Sequence, residues 1–200
     1  MNPDNDPKLW QIEGSGYLIK SPWLTVRQDA VRLPNGSSIP DYYVFEYPDW
    51  VNVVAVTTAG QLILVRQYRH GIAGVDYELC AGTVDPADGA SEAGLLLAAQ
   101  RELLEETGYG GGNWQPFMTT SANTGTHTNL NYTFLATGVE WQQPQMLDDT
   151  EDITVHLVSP EQARRIVDNG QMVQAMCAAP LLKYLSKPRF GIDSNDLPNF

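Results

Sequence analysis

The stretch Arg101-Glu102-Leu103-Leu104-Glu105-Glu106-Thr107-Gly108-Tyr109 decides how the rest of the sequence is read. Its carboxylates stand at i, i+3 and i+4, so on a helix all three share one face. Ser91 supplies an N-cap hydroxyl and Gly108 a C′ stop, which predicts a helix from about Ser91 to Thr107. Leu96, Leu97, Leu103 and Leu104 recur at sevenfold spacing on another side, so the helix is expected to pack on the core there and turn its acids toward a cleft. Like charges at i,i+4 destabilise a helix by roughly 0.2–0.5 kcal/mol per pair, and acids near a helix C-terminus oppose its dipole. A solvated acidic stripe would leave that cost standing. A hard divalent cation would offset it, because Mg²⁺ prefers oxygen ligands and is typically held by one or two carboxylates together with substrate phosphates.

The charge of the whole chain points the same way. Its 24 Asp and Glu against 12 Lys and Arg give a formal charge of −12, which repels a nucleic acid backbone or an anionic membrane and offers neither a basic patch. A small phosphorylated substrate is repelled too, unless cations held by clustered carboxylates invert the local sign. Hydrophobic residues at 42% and scattered Gly and Pro mark an ordinary globular chain, and 200 residues have room for one core with a small accessory lobe. Cys80 and Cys177 each stand alone, without metal-ligand spacing, which argues against a disulfide framework or a zinc site and for a reducing compartment. Met1 to Leu9 is polar, and no apolar stretch long enough for a signal peptide or a spanning helix follows, so a soluble, cytoplasmic protein is expected.

Upstream of the helix, Tyr17–Ile19, Trp23–Val26 and Tyr42–Tyr47 read as short strands of an antiparallel sheet. Val51–Thr57 and Leu62–Gln67 form two apolar runs around Ala59-Gly60, a hairpin entering the main core, and Tyr77–Cys80 a short strand. Gly82 to Ala90 reads as a loop. Downstream, strands near Trp114–Thr119 and Tyr132–Thr137 enclose a polar surface loop, Thr120 to Asn131. An acidic loop at Asp148–Asp152, a strand at Thr154–Val158 and helices at Pro160–Asp168 and Val173–Leu185 complete the pattern, with a loose tail from Ser186.

Arg101 to Tyr109 matches the second half of the Nudix box without a mismatch, and the chain resembles Nudix hydrolases on that ground. The resemblance implies an α/β fold: an α/β/α sandwich on a mixed sheet (residues 49–200), preceded by a small antiparallel β lobe (residues 1–48). It also implies Glu102 and Glu106 as principal metal ligands, Glu105 as a further or water-mediated ligand with a catalytic part, Arg101 as the residue orienting the glutamates, and Mg²⁺, or Mn²⁺, as the ion. The first half of the box departs from the pattern, since Gly82 precedes Arg101 by five residues more than the family spacing. Counting forward from Gly82 puts Asp88 at the first glutamate, counting back from Arg101 puts Ala93 there, and Glu92 is one off. The lengthened loop Thr83–Ala90 leaves that acid unassigned.

Glu78-Leu79-Cys80-Ala81-Gly82 is similar to the Glu-x-Pro-Ala-Gly segment of ADP-ribose pyrophosphatases, with Cys80 in place of proline. The similarity implies that the Ala81 carbonyl binds a metal. Gln67-Tyr68-Arg69 resembles the same subfamily's strand end, and implies that Arg69 contacts a substrate phosphate or Glu78. Asp148 to Val155 resembles the acidic loop that supplies a base, which falls on Glu151. The implied reaction is attack of water on ADP-ribose, releasing AMP and ribose 5-phosphate, with metal ions bridging phosphate oxygens and Glu151 accepting the proton. Alternatives are a nucleotide sugar such as GDP-mannose, or a non-catalytic Nudix sensor; against the sensor, the chain keeps all three glutamates and has no basic segment. The resemblance further implies a homodimer in which the N-terminal lobe helps to build the partner's pocket. Thr120 to His127 departs from the subfamily's Ser-Pro-Gly segment, leaving His127 either a ribose or phosphate contact or simply solvated. Trp23 and Trp50 are either base-stacking or core residues.

Overall fold

The first strands form a sheet of their own: β1 (Gln11–Lys20), β2 (Thr25–Arg32) and β3 (Ser38–Glu46), antiparallel in the order β1-β2-β3. The computed structural model describes residues 6–21, 24–85, 87, 89 and 91–186. Trp23 and the tail beyond Ser186 therefore lie outside the described residues. β2 runs well past the expected Val26, through Arg27 and Asp29, because an ion pair replaces apolar contact there. Asp29 is 3% exposed, with Arg27 Nε 2.9 Å away and the Ser15 hydroxyl donating to it at 2.6 Å. Residues 121–130 cluster with residues 1–48 as one compact unit. Phe45 N donates to Thr126 O at 2.8 Å, and the His127 ring lies 5.6 Å from Phe45 and 5.3 Å from Tyr47. The polar surface stretch is thus anchored on β3, and His127 is packed among rings rather than freely solvated.

The second unit, residues 49–120 with 131–200, is built on an eight-stranded sheet. Its strands are β4 (Trp50–Thr57), β5 (Leu62–Arg69), β6 (Gly74–Glu78), β7 (Cys80–Thr83), β8 (Tyr109–Gly110), β9 (Asn113–Thr120), β10 (Asn131–Trp141) and β11 (Ile153–Val158). The order is β11-β5-β4-β10-β8, with β6 beside β5, β7 beside β4 and β9 beside β10. β4 and β10 pair in parallel and the other pairs are antiparallel. Side-chain alternation along β4 and β5 separates two layers. Val51, Val53, Ala55, Ile63 and Val65 pack with α1 (Glu92–Thr107), while Val54, Val56, Leu62 and Leu64 pack with α2 (Pro160–Asp168) and α3 (Ala175–Leu185). The result is the expected α/β/α sandwich with a mixed sheet.

Three details differ from the sequence expectation, and each matters for the site. β4 and β5 pair only at Ala55–Ile63 and Val56–Leu62, then diverge. The strand expected at Tyr77–Cys80 is broken at the fully buried Leu79 and fills that fork: β6 runs beside β5, and β7 switches to β4. On α1 the buried face is Leu95, Ala98, Ala99 and Leu103, and Leu97 is 59% exposed. The two alanines let the helix backbone approach the sheet, which turns the seam so that Glu106 lies at its end. Finally, α3 begins at Ala175 rather than Val173, because Val173 N is drawn to the Asp76 carboxylate at 3.0 Å. Cys80 and Cys177 are buried and unlinked, and among the described residues no helix is long and apolar enough to cross a membrane.

Candidate active site

At the end of the α1 seam, Glu106 is 3% exposed and accepts hydrogen bonds from the Ala81 backbone N–H at 3.1 Å and from the Cys80 thiol. Burial lifts its carboxyl from 4.5 to about 8; the two hydrogen bonds offset part of this, and the charges of Glu102 and Glu151 add to it. One turn earlier, Glu102 lies against Gly82 so closely that a Cβ on the glycine would stand 2.0 Å from the Glu102 Cδ. Its carboxyl is also raised, chiefly by burial, with Arg101 opposing the shift. β7 therefore presents a backbone amide to one carboxylate and a gap to the other.

Arg101 Nη1 lies 3.0 Å from Glu102 Oε1 and 3.1 Å from Glu105 Oε2, so one guanidinium ties two of the three acids together. Glu105 is thereby held by Arg101. From the lengthened loop, Asp85 approaches Arg101 at 3.9 Å. Asp88 lies outside the described residues.

Gly108 ends the helix at φ +76, a conformation that favours glycine, and a Cβ there would stand 2.0 Å from the carbonyl oxygen of Gln143. That close approach docks the chain after β10 on the helix end. Gln142 N donates to Gly108 O at 2.8 Å, Gln145 Nε2 to Glu106 O at 2.6 Å and Met146 N to Glu105 O at 2.9 Å. The acidic loop follows at once. Glu151 is exposed, accepts from Asp148 N at 3.0 Å, and its charge is felt by Glu102 and Glu106.

Across the fork, Arg69 donates twice to Glu78, at 2.7 and 2.6 Å, and Glu78 is 1% exposed. The pair borders a cavity of about 530 Å³ that Asn52, Ala81, Gly82 and Met176 also line. Ala81 and Gly82 therefore face it from the strand against which Glu106 and Glu102 pack. Trp50 lines the same cavity.

Among the described residues, no three acidic, histidine or cysteine side chains converge into a cage for a metal. The donors at this junction fit a hard cation nonetheless. They are carboxylate and carbonyl oxygens, and Glu106 is a buried carboxyl that makes no ion pair among the described residues. Mg²⁺ is commonly held by one or two carboxylates plus substrate oxygens, without a complete protein cage.

Residues 47–176 match the NUDIX domain. The chain belongs to the Nudix family of hydrolases. Residues 10–45 match the nucleoside diphosphate sugar hydrolase N-terminal domain. Among curated relatives, an ADP-ribose pyrophosphatase of Mycobacterium tuberculosis (strain ATCC 25618 / H37Rv) is 32% identical over 158 residues, spanning 78% of this chain and 74% of the relative. An ADP-ribose pyrophosphatase of Bacillus subtilis (strain 168) is 29% identical over 149 residues, spanning 74% and 77%. The crystal structure of an ADP compounds hydrolase superposes with a TM-score of 0.76 at 20% identity, covering 89% of this chain and 93% of that one, a likeness of fold.

Sequence reasoning missed four features of this Nudix site: the Cys80 thiol on Glu106, the contact of Gly82 with Glu102, the Gln145 bridge and Asn52. Asn52 alone carried a signal, as the polar residue inside the apolar run Val51–Val56. The others arise from packing between segments distant in the chain.

Two predictions follow from the buried carboxylates. Because the folded-state pKa of Glu106 (about 8) lies above its ordinary value of 4.5, the unfolded chain loses this proton first as pH rises. Stability is therefore lost progressively between those two values. In chelator, Glu106→Gln is expected to be roughly 2–4 kcal/mol more stable than the unmodified chain near pH 8.5, with the gap closing below about pH 5. Urea unfolding at several pH values measures this, and a pH-independent gap refutes it. Gly82→Ala is expected to displace the flexible end of Glu102 and weaken Mn²⁺ binding by about 10–100-fold. Titration followed by the Mn²⁺ paramagnetic resonance signal reads that loss; unchanged affinity counts against a ligand role for Glu102.

Proposed function

We propose that this chain hydrolyses the pyrophosphate bond of ADP-ribose in the presence of Mg²⁺ or Mn²⁺, releasing AMP and ribose 5-phosphate. The observation that carries the reading is the junction of α1 with β7, where Glu102 and Glu106 meet Ala81 and Gly82 beside a cavity bordered by the Arg69–Glu78 pair. Relatives named as ADP-ribose pyrophosphatases support the substrate.

Glu102, Glu106 and the Ala81 carbonyl would hold the ion, with Glu105 as a further ligand. When bound, the ion supplies Lewis acidity at the diphosphate oxygens. Arg101 holds Glu102 and Glu105 in orientation through its two short contacts. Arg69, its fork fixed by Glu78, presents the rest of its guanidinium to a phosphate oxygen. Glu151, on an exposed loop docked at the helix end, accepts the proton of the attacking water. The water oxygen bonds to one phosphorus as the bond from that phosphorus to the bridging oxygen breaks, and the other phosphate leaves.

The N-terminal unit would form a homodimer. β1 is exposed along its whole length and carries Ile12, Tyr17, Leu18 and Ile19, each at least 48% exposed, more apolar surface than one strand of a monomer usually shows. Two buried, unlinked cysteines suit a cytoplasmic setting.

Incubation with ADP-ribose and Mg²⁺ should yield AMP and ribose 5-phosphate by chromatography. Glu106→Gln should fold and lose turnover by on the order of 10²-fold or more. Near-normal turnover in that variant refutes the metal assignment, whereas a preference for a nucleotide sugar in a substrate panel moves only the substrate. Light scattering of the full chain should give twice the 22.1 kDa chain mass, and a monomer at micromolar concentration overturns the dimer.

A further inference from the structure

β4 is apolar from Val51 to Val56 except at one position. Asn52 is 1% exposed, among neighbours that are 7% exposed or less. By strand alternation it shares the α3 side of the sheet with Val54 and Val56. Its Nδ2 donates to Met176 O in the first turn of α3 at 2.8 Å. That bond sets which way the amide is turned, since the Met176 carbonyl accepts only from the nitrogen. Asn52 borders the cavity beside β7, and its Cα pairs with Ala81.

The buried Oδ1 of Asn52 has no hydrogen-bond partner among the described residues. Nearby cavity acceptors differ in this respect. Asp76 accepts from Val173 N at 3.0 and 3.2 Å, and Glu78 accepts from Arg69 and Gln67. An amide oxygen left unmatched in an interior is costly, and an apolar residue at this position would avoid that cost. The polar ground continues across the sheet: Thr133, the β10 partner of Asn52, and Asn131 are each 2% exposed and bonded to each other at 3.4 Å. A hydrophobic core does not account for this patch.

We propose that Asn52 is a specificity-determining residue whose Oδ1 accepts a hydrogen bond from a sugar hydroxyl of the nucleoside diphosphate sugar bound in the cavity. The inference rests on the hydrolase reading above and adds the group that tells a sugar from its deoxy analogue. A site built around a hydroxyl rejects the analogue lacking it, because its own buried acceptor is then left unmatched. Two sugars of ADP-ribose carry such hydroxyls, the adenosine ribose and the distal ribose, and the arms of the test separate them.

Turnover of ADP-ribose is compared with analogues each lacking one hydroxyl, on either the adenosine or the distal ribose. For the unmodified chain, kcat/KM is expected to fall on the order of tenfold or more for analogues of one ribose and to hold for those of the other. Asn52→Ala should lose a similar factor on ADP-ribose and nothing further on the sensitive analogue. Asn52→Asp, which keeps an acceptor, should retain the discrimination. An unmodified chain indifferent to every deoxy analogue overturns the proposal whether or not the alanine variant folds. An alanine variant that loses activity equally on all substrates also overturns it, assigning Asn52 to support of Met176. If the unmodified chain turns over nucleotide sugars but not ADP-ribose, only the substrate reading falls, and the same deletions are made on the sugar it accepts. If it turns over none, both fall.

Discussion

A carboxylate buried where a helix meets a sheet is an expensive arrangement, and the site is organised around one. Glu106 is nearly inaccessible, and burial alone lifts its carboxyl far toward neutrality. Two donors, the Ala81 amide and the Cys80 thiol, offset part of the cost. The rest persists as an uncompensated preference for positive charge beside Glu106. Glu102 repeats the arrangement one turn away, in the space that Gly82 leaves open. A chain with formal charge −12 can attract a diphosphate only where such a preference is answered by cations.

The divergence of β4 and β5 is what gives this junction a cavity. Continued pairing of the two strands would seal the sheet and leave β7 no place beside β4. Instead the chain crosses between them at Leu79, so Glu78 stays with Arg69 on one branch while Ala81 and Gly82 join the other. Helix and cavity are then served by the same four-residue strand. The helix C-terminus is organised just as tightly. Gly108 both stops α1 and admits the Gln143 carbonyl, and this docking carries the Glu151 loop toward the glutamates.

The N-terminal unit shows a different economy. Its sheet is small, its centre holds the Arg27–Asp29 pair beside Val26 and Val31, and residues 121–130 are tied to its third strand through Phe45. β1 carries apolar side chains that this unit does not cover.

The motif from Arg101 to Tyr109 determined the helix, its stop and the family, because i,i+3,i+4 spacing and a C′ glycine are local properties of the chain. Apolar and β-rich runs likewise located most of the strands, and the resemblance carried by the motif implied the α/β/α sandwich. The tertiary structure alone decided which face of α1 is buried, since Ala98 and Ala99 win over Leu97 only when a sheet is present to approach. It also decided that β6 and β7 separate at Leu79, that Gln145 and Gly108 bring the acidic loop to the helix end, and that Asn52 borders a cavity. Each of these is a contact between segments far apart in the chain, whose free energy depends on what is packed opposite and so leaves little trace in local spacing.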